Sequence, residues 1–145
     1  MNILVIGGGG REHAIIQKLK EDPRAEKIYA LPGNAGMAAD AECHPIAATD
    51  IPAIVSFAKD HAIDLAVVAP DDPLVLGAVD ALSGAGILCF GPRKNAAAIE
   101  GSKVFAKNLM KQYGIPTAAY ETFSELDKAL AYVEGALFDQ YLHDM

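Results

Sequence analysis

The sequence predicts an α/β protein built on a parallel sheet with helices on both faces. Short apolar runs alternate with segments of helical periodicity over roughly the first 90 residues. The runs are nearly continuous, as expected for strands buried on both sides, and Leu65-Ala66-Val67-Val68 is an example. Glycine, proline or polar residues follow the runs, and the ends of parallel strands share one edge of a sheet. We therefore expect a ligand site at that edge.

The first elements are two strands joined by a glycine loop and a helix. A strand over Asn2–Ile6 stops at four glycines, and apolar residues recurring on one face predict a helix over Gly10–Glu21. The run Lys27–Leu31 predicts the second strand, and Pro32-Gly33-Asn34-Ala35-Gly36 is a turn by composition. A short third strand is expected at Cys43–Ile46.

The rest of the chain continues the alternation. Asp50 is placed to cap a helix over Ile51–His61. A strand over Asp64–Ala69 is broken by Pro70-Asp71-Asp72-Pro73, and a helix over Pro73–Ser83 follows. The later predicted elements are a strand at 87–90, helices at 95–100 and 103–113, an extended segment at 117–120 and a helix at 124–134.

Two serines mark the predicted starts of the last two helices. Ser102 and Ser124 each occupy an N-cap position. After Ser102, the side chains of Lys103, Lys107 and Lys111 share one helix face, which is typical of a solvated stripe. Lys103 differs because it lies in the first turn, where a cation opposes the helix dipole. This placement indicates a functional contact such as a phosphate.

The glycine loop, Gly7-Gly8-Gly9-Gly10, is the strongest indication of a ligand site. A helix start leaves backbone N–H groups without intrahelical partners and carries the positive end of the dipole. Glycines let a ligand approach that backbone closely, and a phosphate is the usual occupant. The alternative is a tight strand-to-helix turn that binds nothing.

The loop departs from two common nucleotide-binding motifs. In the dinucleotide motif G-x-G-x-x-G, Gly7 and Gly9 fill the first two glycine positions, but Glu12 stands at the third. The second strand ends at Leu31-Pro32, without the acidic residue that binds a ribose hydroxyl. The sequence also lacks the Gly-Lys-Ser/Thr that completes a Walker loop. A nicotinamide or flavin site is therefore not expected.

Composition narrows the class of protein further. The 145 residues are 52% hydrophobic, enough for one compact domain with or without an appendage, and the net charge of −7 argues against nucleic acid as a partner. Cys43 and Cys89 lie in apolar surroundings and are expected to be buried free thiols, without zinc-site spacing. The sequence has neither a signal pattern nor an apolar run of about 20 residues. We expect a cytoplasmic protein without a membrane partner.

Several short motifs occur in a defined order. Gly-Gly-Arg-Glu-His follows the first strand, Pro-Gly-Asn the second, Pro-Asp-Asp-Pro-Leu the fourth and Phe-Gly-Pro the fifth. Together with Glu100-Gly101-Ser102-Lys103, they closely resemble the amino-terminal part of the phosphoribosylamine–glycine ligases, also called glycinamide ribonucleotide synthetases, over Met1–Glu134. The resemblance implies a Rossmann-like, substrate-binding pre-ATP-grasp domain at 1–101. It further implies a linker helix and an incomplete start of the ATP-grasp domain at 102–145.

The resemblance also implies a reaction and its partners. This family joins glycine to 5-phosphoribosylamine in de novo purine synthesis, using ATP and Mg²⁺ (or Mn²⁺), and releases glycinamide ribonucleotide, ADP and phosphate. The glycine carboxylate is phosphorylated first, and the ribosylamine nitrogen then attacks the acyl phosphate. The implied partners are these small molecules, with no nucleic acid, and full-length members are expected to be monomers.

The site that the resemblance implies lies at the strand ends. The amides of Gly9, Gly10 and Arg11 are expected to bind the 5-phosphate, and Arg11 adds a cation. Lys103 resembles the lysine that ATP-grasp enzymes direct at nucleotide phosphates. The expected substrate-binding residues are Gly9, Gly10, Arg11, Glu12, His13, Gly33, Asn34, Asp71, Asp72 and Pro73.

Several of these residues have a structural alternative. Glu12 is also suited to pair with the helix dipole, and His13 to make a structural hydrogen bond. Turn chemistry alone is the alternative for Asn34. Helix capping is the alternative for one of Asp71 and Asp72, and the family more often has glutamate where Asp71 stands, which shortens the reach of that contact.

The catalytic and metal-binding residues of the family are not expected in this portion. ATP-grasp enzymes need a second lysine, a glycine-rich lid and carboxylates for Mg²⁺, which several hundred further residues supply. After Glu134 the sequence no longer follows the family's continuation. We therefore expect weak binding of a ribosyl phosphate and no ligase turnover from these 145 residues alone.

Three other classes of protein remain as alternatives. A dehydrogenase or nucleotide-sensing Rossmann module requires an acidic residue after the second strand, where Leu31-Pro32 stands. A phosphoacceptor receiver domain places an acidic pair after the first strand, where this chain has glycines. Another ATP-grasp purine enzyme, such as a carboxylase subunit, has a similar amino-terminal domain, but the Gly-Gly-Arg-Glu-His and Pro-Gly-Asn pair favours the glycine ligases.

Overall fold

The computed structural model describes residues 1–143, and their side chains as far as residue 135. The chain divides into two compact units, of which the first is Met1–Ser102 and the second begins at Lys103. The first unit contains the sheet and the loops at its edge. In the described part of the second unit, two helices are joined by an irregular segment.

One parallel sheet of five strands lies at the centre of the first unit. The strands are β1 (Asn2–Gly7), β2 (Lys27–Pro32), β3 (Glu42–Cys43), β4 (Leu65–Val68) and β5 (Leu88–Phe90). Their order across the sheet is β3-β2-β1-β4-β5, and every pairing is parallel. The strand order therefore reverses between β1 and β4. The predicted fold class is confirmed.

Five helices connect these strands or follow them, and two more form the second unit. They are α1 (Gly10–Leu19), α2 (Ile51–Asp60), α3 (Asp71–Leu76), α4 (Ala78–Gly84), α5 (Lys94–Gly101), α6 (Lys103–Gln112) and α7 (Leu126–His143). A 3₁₀ turn at Met37–Ala39 precedes β3.

The two faces of the sheet have separate apolar cores because side chains alternate along a strand. On one face, Leu4 of β1 shares a core with Ile54 of α2 and Leu82 of α4. On the other face, Val5 of β1 shares a core with Ile16 of α1. Helices on both faces therefore hold the carboxyl ends of the strands in place, and these ends carry the loops of the candidate site.

Two predicted elements of the first unit are wrong in extent. The single helix predicted at 73–83 is two helices, because Gly77 adopts a φ of 94° and ends α3. This left-handed conformation is natural for glycine and interrupts the helix. The strand predicted at 43–46 is only the two-residue β3, since the Ile46 N–H turns back to the His44 carbonyl oxygen at 2.8 Å instead of continuing the ladder.

The second unit also differs from the prediction. The helix predicted at 124–134 begins at Leu126 and runs to His143. The segment predicted as extended at 117–120 forms no strand. Instead, the Lys107 ammonium donates hydrogen bonds to this segment, to Thr117 Oγ1 at 2.6 Å and to the carbonyl oxygen of Ala118 at 3.1 Å.

The two cysteines are free thiols, but they are half-buried rather than buried. Cys43 lies on β3 and Cys89 on β5, which are the two edge strands of the sheet, so each thiol has a strand on one side only. Partial burial still raises the pKa of the Cys89 thiol above its usual value, which keeps it in the neutral form at pH 7.

Replacing Asp50 with alanine is expected to destabilise the first unit by about 1 kcal/mol, the usual effect of losing an N-cap. The Asp50 carboxylate accepts a hydrogen bond from the Ala53 N–H at 3.1 Å, as the sequence predicts. The control is Asp60→Ala at the other end of α2, where removal of a negative charge is favoured by the helix dipole. Urea denaturation of both variants measures the difference, and equal loss of stability in the two would contradict a capping role.

Candidate functional site

Three loops of the first unit meet at the edge where the strands end. The glycine loop follows β1, a loop containing Gly33 follows β2, and Pro70 follows β4. The Gly33 N–H donates to the Gly7 carbonyl oxygen at 3.2 Å, and a Cβ added at Gly7 would lie 2.9 Å from Pro70 Cγ. The loops therefore converge where the strand order reverses, which is the usual ligand position in an open α/β sheet.

Neighbouring protein atoms explain three of the four glycines in the loop. A Cβ at Gly7, whose φ is 126°, would lie 2.7 Å from Cγ of Glu12. A Cβ at Gly8 would lie 2.8 Å from a carbonyl oxygen of the next loop, and one at Gly9 would lie 2.8 Å from Oε2 of Glu12. A Cβ at Gly10 would meet nothing within 4 Å. Gly10 is thus the glycine with open space beside it at the start of α1.

Asn34 uses both ends of its side-chain amide to join the loops. Its Nδ2 donates to the Gly8 carbonyl oxygen at 2.8 Å, and its Oδ1 accepts from the Met37 N–H at 2.9 Å. These bonds tie the loop after β2 to the glycine loop. Gly33, with a φ of 70°, allows the sharp turn, and a Cβ there would lie within 2.4 Å of the Cys43 sulfur.

Glu12 lies beneath the glycine loop and is a buried charged residue, with 4% of its surface exposed. Its Oε2 accepts from the Gly9 N–H at 2.8 Å, and its Oε1 accepts from Nε of Arg11 at 3.2 Å. The Gly9 amide is therefore already engaged, contrary to the expectation that it faces a phosphate. The amides of Gly10 and Arg11 lie in the first turn of α1, where a helix provides no carbonyl partner.

His13 faces the 3₁₀ turn on the other side of α1. Its Nε2 lies 3.4 Å from Oδ2 of Asp40, whose other oxygen pairs with Lys20. The Lys20 ammonium and the His13 ring together hold the pKa of the Asp40 carboxyl below its usual value. The structure therefore gives His13 a structural partner, which is the alternative that the sequence left open.

An open groove of about 420 Å³ lies beside the loop that follows β4. Asp71 and Asp72 occupy the first turn of α3, but neither caps it, because the N-cap residue is Pro70 and no side-chain cap bond forms. Their carboxylates are therefore free of the capping role and border the groove. The residues that line it are Thr49, Asp71, Asp72, Val75, Leu76, Glu100 and Gly101.

Glu100 is a site residue that the sequence did not identify as one. Its carboxyl hydrogen-bonds to that of Asp71, and this contact, with the like charge of Asp71, raises the pKa of Glu100 above 4.5. Arg11 is near enough to oppose that shift. Arg11 therefore acts electrostatically on Glu100 as well as hydrogen-bonding to Glu12. The only signal in the sequence that pointed to Glu100 was its place in the Glu100-Gly101-Ser102-Lys103 motif.

Glu100→Gln is expected to reduce the loss of stability that accompanies rising pH. Because the folded chain holds the Glu100 proton more tightly than the unfolded chain, the free energy of unfolding falls as pH rises from 4.5 through the raised pKa. The control with opposite sign is Glu42→Gln, since Lys27 and then His44 lower the pKa of Glu42. That pairing stabilises the fold above pH 4.5 and is lost as pH falls through the lowered pKa.

Urea midpoints at pH 4 and pH 7 test both effects. Relative to the parent chain, Glu100→Gln is expected to gain stability at pH 7 compared with pH 4, and Glu42→Gln to lose it. Parallel pH profiles for the two variants would rule out the Asp71–Glu100 repulsion.

Pro73 is a predicted site residue that does not line the groove. It is fully buried, so its side chain packs in the core. Lys103 is the first residue of α6 in the second unit, and its side chain is exposed.

The described residues include no group of three metal-ligating side chains. Across the same residues, no helix is long and apolar enough to cross a membrane.

Two models of known protein families match successive parts of this chain. Residues 1–100 match the family described as "Phosphoribosylglycinamide synthetase, N domain", and residues 101–142 match "Phosphoribosylglycinamide synthetase, ATP-grasp (A) domain". Phosphoribosylamine–glycine ligases of Vibrio cholerae and Haemophilus influenzae are 50% and 51% identical to this chain over 135 residues. These matches cover 92% of this chain and 32% of each relative, so the chain spans about a third of their length.

Solved structures agree with the fold. The crystal structure of phosphoribosylamine–glycine ligase from Thermotoga maritima superposes with a TM-score of 0.58 and 31% identity, over 83% of this chain and 27% of that one. N5-carboxyaminoimidazole ribonucleotide synthetase from the same organism gives a TM-score of 0.66 at 19% identity, over 90% of this chain and 36% of that one. The second likeness supports the fold alone.

Proposed function

The chain belongs to the phosphoribosylglycinamide synthetase family, and on that premise we propose that it is the phosphoribosylamine-binding part of a phosphoribosylamine–glycine ligase. One observation carries this proposal. Open backbone at Gly10, in the first turn of α1, lies where the strand order reverses, and Arg11 stands beside it. That is a site for an anion at the position where α/β sheets bind ligands.

The 5-phosphate is proposed to bind at the start of α1. The amides of Gly10 and Arg11 point along the helix axis toward solvent, and the helix dipole favours an anion there. The Arg11 side chain is 63% exposed and, apart from Nε, keeps its guanidinium donors for the phosphate. The absence of a side chain at Gly10 allows the phosphate to approach the backbone closely.

The ribose and its amine are proposed to extend into the groove. Carboxylates accept hydrogen bonds from hydroxyl and amine groups, and Asp71 and Asp72 border the groove together with the Thr49 hydroxyl. Arg11 hydrogen-bonds to Glu12 beneath the glycine loop and also acts electrostatically on Glu100 of the groove, which supports placing the groove next to a ligand bound at the loop. His13 and Asn34 support the loops in this proposal.

The wider activity is proposed from the family. Residues 1–101 are proposed to be the substrate-binding domain, and 102–145 the linker helix and part of the ATP-grasp domain; the family matches at 1–100 and 101–142 support this division. ATP and Mg²⁺ supply the acyl-phosphate chemistry that joins glycine to the ribosylamine, and residues beyond this portion bind them. The proposed setting is cytoplasmic purine biosynthesis, and we expect the 145-residue chain to show no ligase turnover.

Calorimetric titration with ribose 5-phosphate and with ribose tests the proposal. We expect heat of binding for the phosphorylated sugar, none for ribose, and weaker binding in Gly10→Ala, whose methyl group occupies the open space. The control is Gly84→Ala, because a Cβ there also meets nothing within 4 Å but lies at the end of α4. Equal response to both sugars would overturn the proposed function.

A further inference from the structure

The buried carboxylate of Glu12 has no route to a substrate. It is 4% exposed, and each of its two oxygens already accepts a hydrogen bond, from the Gly9 N–H at 2.8 Å and from Arg11 Nε at 3.2 Å. Burying a carboxylate carries a desolvation cost that such bonds offset. A group held in this way supports the loop and does not contact a ligand.

The glycine loop is shaped around this side chain. A Cβ at Gly7 would lie 2.7 Å from Cγ and 2.9 Å from Cδ of Glu12, and a Cβ at Gly9 would lie 2.8 Å from Oε2. Two of the four glycines are thus needed to admit Glu12 beneath the loop. The open space at Gly10 remains for an anion.

Glu12 is also a negative charge next to the place where a phosphate is proposed to bind. Coulomb repulsion between the two anions weakens binding, so a residue with no other role there would be unfavourable. The compensating contact in the structure is with Arg11, since Oε1 of Glu12 accepts a hydrogen bond from Nε of an otherwise exposed guanidinium.

We propose that Glu12 is a positioning residue that fixes the glycine loop and directs the Arg11 guanidinium toward the bound phosphate. This role rests on the proposed phosphate site. Glu12 acts through the Gly9 amide and through Arg11, and it does not touch the substrate. The functional consequence is that ribosyl-phosphate affinity depends on a buried acidic residue whose own charge opposes the ligand.

The sign of one substitution separates positioning from electrostatics. Glu12→Gln keeps the shape of the side chain and one oxygen for the Gly9 N–H, but it removes the charge and presents an amide donor to Arg11. If Glu12 were only a nearby charge, its removal would tighten ribose 5-phosphate binding. Positioning predicts weaker binding, by about 5- to 10-fold, as part of the Arg11 contact with phosphate is lost. Glu21→Gln, an exposed glutamate after α1, is the control for net charge.

A double-mutant cycle shows whether Glu12 acts through Arg11. In an Arg11→Ala background, Glu12→Gln is expected to cause no further weakening. Undiminished weakening there, or tighter binding in the single variant, would overturn the proposal.

Arg11→Lys tests the same idea without altering a buried residue, so it serves if Glu12→Gln does not fold. Lysine keeps the charge but lacks the Nε–H that Glu12 holds. We expect it to lose most of the affinity that Arg11→Ala loses, whereas full retention would contradict positioning.

An NMR measurement in the absence of ligand distinguishes failure of the positioning role from failure of the proposed phosphate site. The Arg11 Nε–H resonance is expected to exchange slowly with water in the parent chain and rapidly in Glu12→Gln. Slow exchange without ribose 5-phosphate binding would leave the geometry intact and refute only the phosphate site, while rapid exchange in the parent chain would refute the positioning role.

Discussion

Replacement of Gly7 by alanine is expected to destabilise the first unit more than any other single methyl group added to the glycine loop. The φ of 126° at Gly7 lies in a region that L-residues avoid, at a cost of about 1–3 kcal/mol. The added Cβ would also lie 2.7 Å from Glu12 Cγ and 2.9 Å from Pro70 Cγ, and overpacking of this kind costs about 1–3 kcal/mol more. Together these penalties are a large part of a typical domain's stability.

Gly10→Ala provides the matched control, because it makes the same chemical change three residues away. A Cβ at Gly10 meets nothing within 4 Å, and the position begins α1, where alanine is favoured over glycine by at most about 1 kcal/mol. Urea denaturation followed by far-ultraviolet circular dichroism measures both. Equal stability of Gly7→Ala and Gly10→Ala would contradict the claim that Glu12 packs tightly beneath the loop.

Arg11→Ala is expected to weaken ribose 5-phosphate binding by about 10- to 100-fold, the usual range for a hydrogen bond between charged groups. Arg11 is exposed, so its removal opens no cavity in the apolar core, although Oε1 of Glu12 loses its hydrogen-bond donor. The affinity of the parent chain is expected to fall with added salt, and that of the variant to fall less, because a charged contact has been removed.

The control for this prediction is Arg24→Ala. Arg24 is an exposed arginine that pairs with Asp22 at 2.6 Å, beyond the far end of α1, so the same charge is removed away from the glycine loop. Calorimetric titration at two salt concentrations gives both affinities. A similar loss in the two variants would mean that net charge, and not the start of α1, governs binding.

Local signals in the sequence predict most of the fold. The apolar runs locate all five strands, and Asp50 caps α2 as its position indicates. The errors occur where a local sequence pattern conflicts with a backbone conformation that the pattern does not reveal. Gly77 lies inside an otherwise helical pattern, and its left-handed conformation became visible only once α3 and α4 were packed.

The candidate site was harder to predict than the fold. Glycine spacing alone does not distinguish a residue that admits a ligand from one that admits a side chain, and Gly7, Gly9 and Gly10 differ in this respect. Likewise, both amide ends of Asn34 are used inside the protein, which no turn motif reveals. Glu100 meets Asp71 only because α5 returns to the start of α3.

The sequence by itself determined the order of strands and helices, the place of the glycine loop and the family to which the chain belongs. Periodicity, capping and turn residues act over a few positions, so they can be read along the chain. The tertiary structure decided which polar groups of the loops remain available, because several of them are engaged by residues far away in the sequence, while the Gly9 amide is engaged by Glu12 nearby. Gly8 is held by Asn34, and the carboxyl of Asp71 is met by that of Glu100. At Gly10 an added Cβ would meet no atom within 4 Å, and this is the space in which an anion is proposed to bind.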